Sequence, residues 1–195
     1  MAKKKINHGM TSEEFEKFAN EFKTESDRAA VILGASQLDL LLYQILERFL
    51  LPCTSGKDEL LDGDSPLATF SSRINISYRL GLIEADFARA LHLIRRIRNS
   101  FAHEISSASL NAGSHRDRIK ELVAPFSENW ALIYMIEKYF DDDHSPASQF
   151  RAVVGVMCFR LDGAIKETRK STHETWTLLP PDYEESENSK ENHAS

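Results

Sequence analysis

The segment Leu91-His92-Leu93-Ile94-Arg95-Arg96-Ile97-Arg98-Asn99-Ser100-Phe101-Ala102-His103 decides how this chain reads. Wound at about 100° per residue, the stretch from Glu84 to His103 puts Phe87, Ala90, Leu91, Ile94, Ile97, Phe101 and Ala102 on one broad apolar arc. Arg98 falls inside that arc. His92, Arg95, Arg96, Asn99 and His103 form a polar stripe on the opposite side. The period is helical, and the helix carries a cation on its apolar side and a basic, imidazole-bearing ridge on its outer side.

Charges seldom enter an apolar face without a partner, so an acid for Arg98 is expected on another apolar face. The run from Ser26 to Leu50 supplies one. Its helical projection places Asp39 among Val31, Ile32, Ala35, Leu42, Leu46 and Phe49, with Arg28 and Glu25 on the same side one or more turns earlier. Two readings follow for an Arg98–Asp39 pair supported by Arg28 and Glu25. Either it fixes the pairing of two helices, or it orients chemistry at His103.

Helix punctuation recurs through the rest of the chain and strand signals are nearly absent. Thr11-Ser12-Glu13-Glu14 is a capping-box pattern opening a short helix over 11–23 with Phe15, Phe18 and Phe22 on one side. A long helix over 25–50 stops before Pro52, and Leu60-Leu61-Asp62-Gly63-Asp64 reads as a turn. Ser65-Pro66 and Ser145-Pro146 each set an N-cap before a proline, and Gly81 suits a C-terminal stop. Helices are thus expected over 66–80, 84–103, near 115–123, near 128–140, and from Pro146 to about Lys170. The order predicts an all-α bundle of four to five main helices, in one domain over 11–172. Residues 1–10 read as a flexible arm, and 173–195, with Pro180-Pro181 and a Glu/Ser/Asn run, as a disordered acidic tail.

Composition narrows the function classes. The chain has 195 residues, 42% hydrophobic, and a formal charge of −6. The tail's Asp182, Glu184, Glu185, Glu187 and Glu191 against Lys190 account for four of those charges, which leaves the body only mildly acidic. A near-neutral body argues against strong direct DNA binding, although Arg95, Arg96 and Arg98 could hold a phosphate locally. Cys53 and Cys158 lack the spacing of a zinc site or a disulfide framework. Met-Ala-Lys-Lys-Lys is followed by no apolar export segment, and no run reaches about 18 uninterrupted apolar residues, so neither export nor a membrane span is expected and a cytoplasmic setting is the default. Asp62-Gly63-Asp64 and Asp141-Asp142-Asp143-His144 lack metal-ligand spacing and read as a turn and a solvated loop; no metal and no cofactor are expected. Trp130, Tyr134 and Tyr139 read as packing residues.

Several segments together resemble the mannitol operon repressor family over roughly residues 20 to 170. They are Glu25-Ser26-Asp27-Arg28-Ala29-Ala30, Leu60-Leu61-Asp62-Gly63-Asp64-Ser65-Pro66-Leu67, Phe70-Ser71-Ser72-Arg73-Ile74 and Tyr78-Arg79-Leu80-Gly81-Leu82-Ile83. The resemblance implies a small helical cytoplasmic regulator without a DNA-binding domain, acting through protein partners in transcription or sugar transport. Arg98-Asn99-Ser100-Phe101-Ala102-His103 is also similar to the R-N-x-x-x-H signature of the HEPN helical superfamily. That likeness implies motifs facing each other across a homodimer and RNA cleavage without metal. Arg98 would hold the scissile phosphate, Asn99 would orient it, and His103 would exchange a proton with the 2′-hydroxyl or the leaving oxygen.

Geometry limits the second likeness. Residues 98 and 103 lie about 140° apart on an ideal helix, so one phosphate can be reached by both only if the helix distorts or a second subunit contributes. A histidine at that place can equally cap the last carbonyls. His92, Arg95 and Arg96 remain as a ridge for phosphate or a partner. Three classes stand: a regulator acting by contact, which the longer resemblance favours; a metal-independent endoribonuclease; and a structural helical dimer. A homodimer through the motif helix is expected, with RNA as a possible partner of the nuclease reading.

Overall fold

The computed structural model describes residues 11–54, 56–104 and 108–171. The arm over 1–10 and the tail from 172 onward, for which flexibility and disorder are expected, lie outside the described residues. Among the described residues there are seven α-helices, one 3₁₀ turn at Ala124–Phe126 and no strand. The helices are α1 (Ser12–Thr24), α2 (Asp27–Phe49), α3 (Phe70–Arg79), α4 (Ala85–His103), α5 (Gly113–Val123), α6 (Trp130–Tyr139) and α7 (Pro146–Glu167). The all-α bundle is as the punctuation predicts.

Local chemistry sets most boundaries. Thr11 and Glu14 form the reciprocal capping box, with Glu14 N donating to Thr11 Oγ1 at 3.2 Å and Thr11 N donating to Glu14 Oε2 at 2.7 Å. Ser26 and Ser145 cap α2 and α7. Gly81 takes φ +71°, so that Gly81 N reaches Tyr78 O and Leu82 N reaches Ser77 O, closing α3 in a Schellman turn. One start is corrected: α3 begins at Phe70 under a Thr69 cap, not at Pro66. The N–H groups of Leu67 and Ala68 are engaged instead by Leu60 O and Ser65 O in the preceding loop, which keeps residues 65–68 out of the helix.

Helices α2 and α7 form the central pair; α4 and α3 pack on α2, α5 joins α4 to α7, and α6 and α1 cover α7. By length and composition α2 could cross a membrane, but half of its apolar window is buried inside the bundle. Its apolarity serves this core. The α2–α7 approach depends on Gly34, where an added Cβ would stand 2.9 Å from Val154 Cγ1 and 3.1 Å from Phe22 Cζ. Gly163 on α7 has open space around it. Gly34→Ala is therefore expected to lower stability by about 1–2 kcal/mol, because overpacking against a stiff β-branched neighbour outweighs the gain in helix propensity. Gly163→Ala should raise it by about 0.5–1 kcal/mol. Denaturant midpoints check the pair, and shifts of the same sign would contradict the packing argument.

Candidate functional site

Helix α4 presents Ala88, Ala90, Leu91, Leu93, Ile94, Ile97 and Phe101 to the core. Phe87 is only half-buried and Ala102 is exposed, so the true buried arc is centred roughly 70° away from Arg98. Arg98, at the edge of that arc and near the end of the helix, is exposed, and its Nη1 donates to Asn99 Oδ1 at 3.0 Å. The expected Arg98–Asp39 pair does not form. Asp39 instead accepts from Arg73 Nη1 of α3 at 2.8 Å, in a partly buried pair. Arg73 also lies over the Tyr43 ring at 5.2 Å, and Tyr43 donates to Asp62 at 3.2 Å. Burial, followed by Glu47 and Asp62, pushes the Tyr43 hydroxyl up to about 12. The pair fastens α3 and the 58–64 loop to α2, where Asp58 Oδ1 accepts from Leu60 N and Leu61 N and Gly63 turns at φ +70°.

The other supporting residues act elsewhere. Arg28 donates to the carbonyls of Phe101 and Glu104, the latter at 2.6 Å, and so neutralises the C-terminal end of α4. That is the capping role sequence reasoning offered to His103, which sits exposed at the last residue of the helix. Glu25 contributes its backbone carbonyl, an acceptor for Arg151 Nη2 at 2.8 Å. Because α4 stays helical through His103, Arg98 and His103 keep their divergence of about 140° within one chain.

Beneath the motif lies a polar connection that sequence reasoning missed. Buried His115 of α5 donates from Nε2 to Glu104 at 2.8 Å, Ser100 donates to the same carboxylate oxygen at 3.2 Å, and the His115 ring packs on Phe101 with centroids 4.4 Å apart. His115, first of these causes, holds the Glu104 carboxyl below the ordinary 4.5. A lowered acid contributes stability above its unfolded value and loses it as pH falls through the folded one. Thermal unfolding near pH 7 and near pH 4 should show a smaller acid loss for Glu104→Gln than for the wild type. Equal losses would count against this role for Glu104.

Arg96 is exposed, while His92, Arg95 and Asn99 are half-buried. An open groove of about 560 Å³ runs over this face, with α3 and α5 alongside. His92 Nε2 lies 3.0 Å from Asn75 Oδ1, and burial, then Arg95 and Arg96, hold the imidazole below its ordinary 6.5. Of the acidic loop, Asp143 accepts from Ser145 and Ser148 at the start of α7, which gives that run a capping role. No three His, Cys, Asp or Glu side chains converge as metal ligands among the described residues. Tyr139 is buried as expected, but Trp130 and Tyr134 are exposed, since α6 buries Leu132, Met135, Ile136 and Tyr139 and turns the other face outward.

The sequence matches no known family profile and no curated protein. A distant structural likeness is found to a chain in the X-ray structure of the MtlR-HPr complex from Escherichia coli, with 19% identity over 78% of this chain and 98% of that one, at a TM-score of 0.47.

Proposed function

We propose that this protein is a cytoplasmic regulator of the mannitol operon repressor type that works by contacting another protein, as a homodimer and without reading DNA itself. The carrying observation is the outer face of α6. Trp130 is 76% exposed, with Ile133 at 44% and Tyr134 at 49% on the same face. Exposed tryptophan and tyrosine beside an aliphatic side chain is the composition of a protein-contact hot spot. The segments that resemble the mannitol operon repressor family support a partner in transcription or sugar transport. HPr is therefore the first protein to titrate, by calorimetry, against wild type and Trp130→Ala/Tyr134→Ala. Micromolar binding that weakens about tenfold or more in the variant is expected. Undiminished binding by the variant would move the contact off α6, and no heat with wild type would reject HPr as the partner.

A second reading is a metal-independent endoribonuclease using Arg98, Asn99 and His103 across a homodimer. The exposure of Arg98 and His103 favours it, and their divergence within one chain opposes it unless a partner completes the site.

A further inference from the structure

The groove over α4 carries an inference of its own, independent of the α6 face. His92 lies at its centre, with Arg89 one helical turn before it and Arg95 and Arg96 one turn after, while Glu121 of α5 is the single acid in the lining. Elsewhere in the fold Arg28, Arg73 and Arg151 each end on a carbonyl or carboxylate. Arg89, Arg95 and Arg96 form no ion pair among the described residues, and the buried Nε of half-buried Arg95 has no acceptor there. Three unneutralised guanidinium groups around one imidazole make a concentrated positive site whose forked donors match phosphate oxygens.

We propose that this groove binds a small-molecule phosphomonoester, its phosphate held by Arg95, Arg96 and Arg89 over His92. The volume of about 560 Å³ falls in the range of small-molecule sites. Ala85 and Ala88 add small apolar lining, and Tyr78 and Glu121 add polar groups that could meet ligand hydroxyls. The charged groups lining the groove with His92 are the three arginines of α4, of which Arg95 and Arg96 act on its imidazole, and Glu121 of α5; α3 contributes Asn75 and Tyr78. A bound dianion offsets the arginines and moves the His92 titration upward.

The test titrates the full chain separately with AMP, glucose 6-phosphate and inorganic phosphate while the His92 imidazole resonances are followed by NMR. At least one ester should bind with a Kd of about 1 mM or tighter and raise the pH at which His92 titrates. Arg95→Gln/Arg96→Gln should weaken it about tenfold or more, while Arg160→Gln, an exposed change on α7, leaves it unaltered. Preference between the esters tells a nucleotide body from a sugar body. No response of His92 to either ester, equal binding by the double variant, or inorganic phosphate matching both esters would overturn the assignment. Should the double variant unfold, Arg96→Gln alone, at an exposed position, carries the same comparison.

Discussion

Arg151→Ala is expected to cost about 3–5 kcal/mol and to lower the unfolding midpoint by about 10 °C. Arg151 sits within the most buried stretch of α7 with only 7% of its side chain exposed. Its guanidinium donates to Ala147 O at 3.0 Å, Glu25 O at 2.8 Å and Asp27 Oδ1 at 3.1 Å. The other oxygen of Asp27 accepts from Leu110 N at 2.9 Å and Ser109 Oγ at 3.3 Å. One side chain thus ties α7 to the α1–α2 junction and, through Asp27, to the segment entering α5. Truncation leaves the Glu25 carbonyl and a partly buried carboxylate short of a donor, and an abandoned charge costs more than a pair removed whole. Arg151→Met with Asp27→Asn should therefore lose less than Arg151→Ala alone. Chemical denaturation of the variants decides it, and a loss under about 1 kcal/mol for Arg151→Ala would contradict the ledger of contacts.

A comparable loss, about 3–5 kcal/mol, is expected for Phe101→Ala, against a change within about 0.5 kcal/mol for His103→Ala. The two residues belong to the same six-residue motif but serve opposite sides of α4. Phe101 is fully buried and packs on the His115 ring, so its removal opens a cavity beside the Glu104–His115 hydrogen bond. His103 is exposed at the helix end, where Arg28 already meets the last carbonyls. Equal losses, measured by thermal unfolding, would show that His103 contributes to the fold in a way its exposure does not suggest.

Helix identity was legible because capping residues and 3.6-residue periodicity are local: the Thr11 and Ser145 caps and the Gly81 stop hold, and only the Ser65 cap fails, giving way to Thr69. Charge partners were not, because an arc on a wheel does not say what lies across from it. Counting Phe87 and Ala102 as core drew Arg98 inward, whereas the buried residues of α4 centre on the Ala90–Phe101 side, with Leu91 and Ala88 at their edge. The same apolar-face test on α3 flags Arg73, between buried Phe70 and Ile74, and on α7 flags Arg151 among Phe150, Ala152 and Val154. Those cations were visible in the sequence and pair with Asp39 and Asp27. His115 was visible by the same test, one and two turns before buried Ile119 and Leu122 on α5, but its partner Glu104 was not, since that pairing depends on how α5 closes against α4. Trp130 and Tyr134 show the converse, because aromatic spacing marks a helical face but not which face the neighbouring helices cover.

On the proposed reading the chain acts by contact and the α4 motif cleaves no RNA. RNA cleavage by purified wild type and His103→Ala, on varied single-stranded and structured RNAs in chelator, tests it most directly. Two equally inert proteins with unchanged thermal midpoints are expected. Chelator-resistant cleavage by wild type that falls about a hundredfold or more in a folded His103→Ala would contradict it and establish His103 as a proton-transfer residue.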